Sequence, residues 1–328
     1  MKIFVMSKKN FLYWDQHVVD AFKELNHDVL HFQFNNRTFD EQFIRGLSKG
    51  VLGKKIGSKV SNNYMIMKLK KELERFKPDL VFIPYAFFVP VEFYDLCKNI
   101  SSKPKIFAWE GDGGSNVDSN SKYVQYVDIL FETDKDYVSQ NKLGFKEIFH
   151  LPFCSNTKKY RNLNLDKINK NYFCGNLAHG RDEIISELTD FEFVLRGWNW
   201  DKLTKKSKNF DIKNGTVGMD EQINDYNIYR SVLNIHQKVN HISALNMRTF
   251  EVPSCNTLLI NDYRDGIEEL FDINKEILVF KTIEDLIDIL ERLKREPMYY
   301  DKLSLNGYNR INHEHKYTDR MKKVLEFI

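Results

Sequence analysis

The sequence has no long apolar run, and this absence argues against a membrane-spanning helix. No stretch of its 328 residues approaches the roughly 18 consecutive apolar residues that a spanning helix needs. The apolar run within Met1–Asn10 is too short for a signal peptide, and we interpret it as a first β-strand. The sequence therefore predicts a cytoplasmic protein.

Several other features are scarce. The four cysteines are far apart and include no Cys-x-x-Cys pair, so we expect free thiols. The formal net charge is only +3, which gives no reason to expect a nucleic-acid partner. No Gly-x-Gly-x-x-Gly follows the first strand or the predicted strand Tyr172–Cys174, which argues against a dinucleotide-dependent oxidoreductase.

Predicted strands and helices alternate along most of the chain. Lys2–Met6, Tyr13–Leu25 and Val29–Phe34 form a β–helix–β unit, and the same pattern resumes after a polar segment, Pro152–Lys170. The length favours two α/β domains, and we interpret the polar segment as their linker. Ligands of such sheets bind beyond the carboxyl ends of the strands. The Gly-rich loop Glu110–Asn116 is therefore a candidate site.

The stretch Ala244–Asp262 has the composition of a nucleotide-diphosphate site. A loop leads into a short predicted helix that Asn246 can cap, and a buried strand follows. Arg248 in the first helical turn brings positive charge to an anion at the helix N-terminus. Glu251, one turn later, can bind the two hydroxyls of a ribose. The alternative is an ordinary helix–strand unit whose Arg and Glu are solvated or paired with each other.

Other side chains have a functional and a structural interpretation. Arg181 follows a loop and can bind the same phosphates, or it can be solvated. Glu110 and Asp112 can act as general bases, or they can belong to a solvated turn. His236 ends an apolar strand and is either a catalytic base or a buried structural histidine. In the C-terminal half of the chain, no Asp-x-Asp follows a predicted strand, so we expect no metal or other cofactor.

Motifs in the C-terminal half resemble those of the CgeB/YkvP-like glycosyltransferases, within the wider GT-B group. The matching residues are Asn246-x-Arg248-x-Phe250-Glu251-x-Pro253-x-Cys255, Gly307-Tyr308-x-Arg310, His315-x-Tyr317-x-x-Arg320 and the earlier Tyr172-Phe173-Cys174-Gly175-Asn176 with Arg181. The similarity spans about Leu151–Ile328, whereas the N-terminal half matches only in general layout.

The resemblance implies an α/β protein of GT-B architecture, with two Rossmann-like domains that face each other across a cleft. The acceptor domain would be 1–155, the donor domain 156–312, and the terminal helix 313–328 would cross back to the first domain. Glu251 falls where GT-B enzymes bind the donor ribose. Many relatives have another Glu eight residues earlier, and here that position is Ser243.

Together, these patterns predict the residues of a donor site and of a catalytic site. The predicted donor-binding residues are Gly175, Asn176, Arg181, Asn246, Arg248, Thr249 and Glu251. The catalytic candidates are Glu110, Asp112 and His236. The predicted reaction moves a sugar from a nucleotide-sugar donor to a glycan, lipid-linked or protein acceptor in cell-surface polysaccharide or glycoconjugate synthesis. The alternatives are a nucleotide-sugar epimerase and a non-catalytic glycan-binding or surface-layer protein.

The segment Arg45–Lys59 contains five basic and no acidic residues among apolar ones. It can lie against anionic lipid headgroups at the inner face of the cell membrane, which suits a lipid-linked acceptor. Its four glycines favour the alternative, a mobile solvated loop.

Overall fold

The computed structural model describes residues 1–8, 13–34, 39–111, 121–178, 180–237 and 243–328, which form two compact units. The first unit contains Met1–Leu151 and Arg320–Ile328, and the second contains Pro152–Asp319. The last residues of the chain, Arg320–Ile328, therefore belong to the first unit. The functional division into an acceptor and a donor domain, with limits at residues 155 and 312, stays a prediction.

The described part of the first unit contains a parallel six-stranded sheet with order β2-β1-β3-β4-β5-β6. Its strands are β1 Lys2–Lys8, β2 Asp28–Phe34, β3 Leu80–Pro84, β4 Lys105–Glu110, β5 Ile129–Glu132 and β6 Ile148–His150. Its helices are α1 Trp14–Glu24, α2 Phe39–Phe76, α3 Val91–Asn99 and α4 Lys135–Gln140. All residues of β3 and β5 are buried, because helices cover both faces of a parallel sheet.

Helix α2 differs from the expected loop. The chain is helical from Phe39, through the whole of the basic segment, to Phe76, with one interruption at Gly53 (φ 76°, ψ 166°). Only glycine adopts that backbone conformation without steric cost, so the helical direction changes there. The glycines predicted a loop, but the lysine and apolar residues between them supply enough helix propensity for two helical arms.

The chain end packs on the first sheet through aromatic rings. The Phe327 ring lies 5.5 Å from the Phe131 ring and 4.4 Å from the Phe149 ring, between centroids. The Lys105 ammonium also donates a 2.9 Å hydrogen bond to the Phe327 carbonyl oxygen. These contacts make the terminal residues part of the first unit.

The second unit contains another parallel six-stranded sheet, with order β12-β11-β10-β7-β8-β9 in its described residues. Its strands are β7 Ile168–Cys174, β8 Phe193–Gly197, β9 Phe210–Asn214, β10 Tyr229–Asn234, β11 Leu258–Asp262 and β12 Leu278–Phe280. Its helices are α5 Arg181–Ile185, α6 Met219–Ile228, α7 Arg248–Ser254, α8 Ile283–Arg295 and α9 Pro297–Glu314; α10 Tyr317–Leu325 begins in this unit. The strand order reverses between β7 and β10, as in a dinucleotide-binding fold.

The segment Pro152–Lys170, predicted as a linker, is instead packed onto the second unit. Phe153, Cys154 and Tyr160 are buried. The Asn227 side chain accepts a 2.7 Å hydrogen bond from the Leu163 N–H and donates to a neighbouring carbonyl oxygen. The polar composition predicted a segment that is not packed. A few apolar residues and one buried amide are enough to hold it against the second unit.

The four cysteines are buried free thiols, as expected. Within the described residues, none of the helices combines the length and the apolar character that crossing a bilayer requires.

Helix α9 packs closely against the helix that precedes β11, and Gly307 permits this packing. A Cβ atom at Gly307 would lie 2.6 Å from the Glu276 carbonyl oxygen and 3.3 Å from the Pro253 Cβ. We expect Gly307→Ala to destabilise the protein by about 1–3 kcal/mol through overpacking, despite the higher helix propensity of alanine. Urea unfolding followed by circular dichroism measures this change. Leu305→Ala, at a half-exposed site of the same helix, is the control and should cost less than about 0.5 kcal/mol.

Candidate functional site

The second sheet gathers most of the predicted site residues at one edge. The loops after β7 and β10 leave the sheet side by side, where the strand order reverses, which is where ligands bind to open α/β sheets. Gly175 and Asn176 follow β7, and His236 follows β10. The predicted donor-binding residues of α7 and of the loop before it are hydrogen-bonded to this edge.

A buried amide, Asn234 at the end of β10, binds the loop before α7 to the sheet. Its side-chain NH₂ donates to Asn246 (3.0 Å), Thr249 (3.2 Å) and Asn261 (2.7 Å), and its carbonyl oxygen accepts from Asn246 (3.0 Å) and Arg248 (2.8 Å). The predicted residues Asn246, Arg248 and Thr249 are therefore brought together by one side chain. Asn234 was not among the predicted site residues, although a polar residue at the end of a buried strand is a visible signal.

His236 is fully buried and uses both ring nitrogens. Nδ1 lies 2.5 Å from the Asp262 carboxylate, and Nε2 accepts a 2.9 Å hydrogen bond from the Asn246 backbone N–H. Burial by itself raises the pKa of Asp262. The interactions with His236 and Arg264 lower it by more, so the pKa of Asp262 lies below its usual value. This geometry favours a positioning role, since His236 fixes the loop that leads into α7. Its catalytic role stays a prediction.

Arg181 is buried and is bonded to backbone carbonyl oxygens. Its Nε and Nη2 donate to the Ile235 carbonyl oxygen at 3.1 and 2.8 Å, and its Nη1 donates to that of Asn176 at 2.9 Å. The guanidinium thus joins the loop after β10 to the loop after β7. Burial and the charge of Arg248 lower the pKa of Arg181 to about 9. Its contact with phosphate stays a prediction.

Arg248 and Glu251 lie one turn apart on α7. Arg248 is half-buried, and its Nη1 bond to Asn234 fixes its direction. Glu251 is buried, and burial raises the pKa of its carboxyl to about 7, although the charge of Arg248 and a hydrogen bond with Tyr160 both lower it. The site therefore combines two guanidinium groups with a carboxyl that is half-ionised near neutral pH.

The glycines and tryptophans beside this edge shape its backbone. A Cβ atom at Gly197, whose φ is +132°, would lie 2.2 Å from the Gly175 carbonyl oxygen, so the two loops touch through their backbones. Trp200 is buried and donates to the Gly175 carbonyl oxygen at 2.9 Å. Trp198 is 53% exposed, and its backbone N–H donates to the Asn176 side chain at 3.0 Å. Trp200 therefore packs in the core, whereas Trp198 lies at the surface.

The acidic candidates lie in the first unit. Asp112 lies outside the described residues. Glu110, the last residue of β4, is fully buried and accepts hydrogen bonds from the Phe87 backbone N–H (2.8 Å) and the Tyr123 hydroxyl (3.2 Å). Its neighbour across the sheet is the equally buried Glu132 at the end of β5. Burial and the charge of Glu110 raise the pKa of Glu132 well above its usual range.

Sequence analysis missed Glu132, although it ends its strand as Glu110 does. Two carboxyl groups side by side in a buried place repel each other when both are ionised, and this repulsion adds to the effect of burial on the pKa of Glu132. Within the described residues, no group of three or more His, Cys, Asp or Glu side chains could hold a metal ion. The expected independence from metal stays a prediction.

Comparison with known families gives one match in the C-terminal part of the chain. Residues 181–326 match a family model described as "Glycosyl transferase-like". This range includes Arg181, His236, Arg248 and Glu251. Curated protein sequences give no significant match.

The whole chain is similar to solved structures. Sucrose-phosphate synthase from Thermosynechococcus elongatus has a TM-score of 0.67 at 10% identity, covering 99% of this chain and 98% of that one. HepE from Anabaena, in complex with UDP, has a TM-score of 0.67 at 9% identity, covering 100% and 99%. UDP-GlcNAc 2-epimerase from Neisseria meningitidis has a TM-score of 0.57 at 14% identity, covering 99% of both chains. These likenesses establish the predicted GT-B fold.

The contacts of the two arginines predict different effects of the same conservative change. Arg181→Lys should cost about 3 kcal/mol of unfolding free energy, because an ammonium cannot reproduce three hydrogen bonds from a planar fork to two buried carbonyl groups. Arg248→Lys should cost less than about 1 kcal/mol, because one side-chain bond is lost. Urea unfolding without ligand measures both variants. Equal losses would contradict the structural role of Arg181.

Proposed function

We propose that this protein is a metal-independent glycosyltransferase that takes a sugar from a uridine-diphosphate-sugar donor. The family match and the GT-B fold support the enzyme class. The observation that carries the proposal is the pair Arg248 and Glu251, held on one short helix at the edge where the strand order of the second sheet reverses. The motifs in this half of the chain support a CgeB/YkvP-like enzyme of cell-surface polysaccharide or glycoconjugate synthesis.

Arg248 is the proposed ligand of the diphosphate. When the glycosidic bond of the donor breaks, negative charge develops on the leaving diphosphate, and a fixed cation stabilises that charge in the transition state. The hydrogen bond to Asn234 holds the guanidinium in place before the donor arrives, so little reorganisation is needed. Arg181 adds positive charge nearby while it keeps its own loops together.

Glu251 is the proposed ligand of the ribose. A carboxylate accepts hydrogen bonds from two vicinal hydroxyls, and burial strengthens such bonds. The HepE protein has been solved with UDP and with UDP-glucose, which supports uridine as the nucleoside. The exposed Trp198, beside Asn176, offers a ring face on which the base can stack.

The acceptor is a glycan, a lipid-linked sugar or a protein, and its proton acceptor is expected from the first unit. Glu110 accepts two hydrogen bonds and is fully buried, which favours a role in holding the Phe87 turn. Asp112 is then the acidic candidate that the sequence offers for the base. His236, with both ring nitrogens bonded, is a positioning residue in this proposal.

The alternative enzyme is a nucleotide-sugar epimerase, which the similarity to UDP-GlcNAc 2-epimerase favours. An epimerase acts on the donor alone, whereas a transferase needs an acceptor or water to release UDP. Incubation of the protein with UDP-GlcNAc, followed by product analysis, distinguishes the two. Appearance of the C2 epimer without acceptor would establish the epimerase instead.

We expect one nucleoside diphosphate, UDP, to bind without Mg²⁺ and to raise the melting temperature. At about 100 times its dissociation constant a ligand adds about 2.7 kcal/mol of stability. Glu251→Ala should abolish most of this shift, whereas Glu284→Ala, an exposed acid on α8, should keep it. Calorimetry with UDP, GDP, dTDP, CDP and ADP makes the measurement. If no nucleotide binds, the non-catalytic glycan-binding protein becomes the better hypothesis.

The raised pKa of Glu251 predicts that donor binding depends on pH. The carboxyl has a pKa of about 7 in the free protein, and ribose binding uses its ionised form. Affinity for UDP-glucose should therefore be full above about pH 8 and fall about tenfold by pH 6. At pH 7 binding should release about half a proton, visible as a dependence of the heat on the buffer.

Glu251→Gln is the matched variant for this measurement, because it keeps the shape and removes the titration. Its affinity should be lower and independent of pH, and its proton release should vanish. A wild-type affinity that does not change between pH 6 and pH 8 would exclude the carboxylate of Glu251 as the ribose ligand.

A further inference from the structure

Helix α2 is folded back on itself at Gly53. The Asp40 carboxylate accepts hydrogen bonds from the Tyr64 hydroxyl at 2.5 Å and from the Lys68 ammonium at 3.2 Å. In a straight helix, 24 residues would separate Asp40 from Tyr64 by about 36 Å. The two arms, residues 39–52 and 54–76, therefore lie side by side. We call residues 39–76 the hairpin.

The second arm of the hairpin has apolar residues on two opposite faces. Met65, Leu69 and Leu73 are buried in the core of the first unit. Ile56 and Val60 lie nine residues before Met65 and Leu69, which is two and a half helical turns, and are 57% and 37% exposed. The buried face accounts for the folding of this arm, but the exposed face has no such explanation.

The first arm also has exposed apolar residues. Phe43 and Leu47 lie one turn apart and are 57% and 50% exposed. Met67, beyond Ile56 and Val60 on the same face of the second arm, is 70% exposed. Large apolar side chains exposed together mark an interaction surface more often than single ones do.

The charge of this region indicates the kind of surface that it meets. Residues 43–60 contain Arg45, Lys49, Lys54, Lys55 and Lys59 and no acidic residue. The whole chain has 49 basic and 46 acidic residues, so this concentration is local. A second copy of the same hairpin would bring ten positive charges together, which disfavours self-association through this surface. An anionic lipid surface both neutralises the charges and accepts the apolar side chains.

We infer that the hairpin binds the surface of an anionic lipid bilayer, with Phe43, Leu47, Ile56 and Val60 entering the headgroup region. Binding of this kind is peripheral, since neither arm spans a bilayer. It holds the enzyme where lipid-linked acceptors and membrane-bound glycans are found. The inference is independent of the proposed donor chemistry, because the hairpin belongs to the first unit and the donor residues belong to the second.

Flotation of the purified full-length protein with vesicles tests the inference. We expect binding to vesicles of phosphatidylcholine with 30% phosphatidylglycerol and at least tenfold weaker binding to phosphatidylcholine alone. Raising the salt from about 0.1 to 0.5 M should weaken binding further, because screening shortens the reach of the lysine charges. Absence of binding to the anionic vesicles at low salt would overturn the inference.

Matched variants locate the binding surface. The triple variant Phe43→Ser, Leu47→Ser, Ile56→Ser and the charge variant Lys54→Glu, Lys55→Glu should each lower the partition coefficient at least tenfold. The controls are Leu305→Ser and the pair Lys206→Glu, Lys208→Glu, which change exposed residues of the second unit and should bind vesicles as wild type. An equal loss in the controls would place the binding elsewhere and overturn the inference.

Two further readouts separate this inference from its competitors. Each variant should keep the melting temperature and the UDP affinity of the wild type, so a loss of vesicle binding cannot reflect unfolding or a failed donor site. Light scattering after gel filtration gives the oligomeric state. An oligomer that dissociates in the triple variant, without vesicle binding by the wild type, would assign the hairpin to self-association instead.

Discussion

Buried polar groups at the carboxyl edge of the second sheet must find partners, and this constraint organises the candidate site. Asn234 is fully buried and forms hydrogen bonds with four neighbouring side chains. The buried Arg181 donates hydrogen bonds to two backbone carbonyl groups. An unpaired group in either place would cost about 1–3 kcal/mol or more. The residues that make these bonds, next to the ends of β7 and β10 and at the start of α7, are therefore held firmly in place.

This rigidity has an electrostatic consequence. Arg248 is held near Arg181 and one turn from Glu251, so two cations and one carboxyl occupy a small, partly buried region before any ligand binds. Bringing like charges together costs energy during folding, which the polar network offsets. An anionic ligand relieves that repulsion. In the proposed reaction, the same preorganisation stabilises the charge that develops on the diphosphate leaving group.

The two units use their strand ends differently. In the second unit β10 ends in the amide Asn234, and the helices beside that edge bring the guanidinium groups of Arg181 and Arg248, which suit an anion. In the first unit they carry the adjacent carboxyls Glu110 and Glu132, of which Glu110 binds the backbone of the turn after β3. These buried acids contribute to the architecture of their sheet edge. A sequence pattern of acidic residues at strand ends does not distinguish such a role from catalysis, because it contains no information on burial.

Much of the fold could be predicted, because apolar periodicity is local. Alternating strands and helices predicted two α/β domains, and the structure has a parallel six-stranded sheet in each unit. The basic segment was less predictable, since its glycines indicated a loop, whereas contacts of Asp40 with Tyr64 and Lys68 favour a hairpin. The linker prediction failed for a similar reason. Whether a polar segment is packed depends on distant partners.

Apolar periodicity in the sequence predicts the α/β class, and the motifs predict where a donor site lies and which residue types form it. The tertiary structure sets the surroundings of those side chains. Arg181 donates hydrogen bonds to backbone carbonyl groups, and Glu110 and His236 are buried and hydrogen-bonded. Burial raises the pKa of Glu251 to about 7. The physical reason is that hydrogen-bond partners and desolvation depend on residues far apart in the chain, whereas helix and strand patterns depend on neighbours.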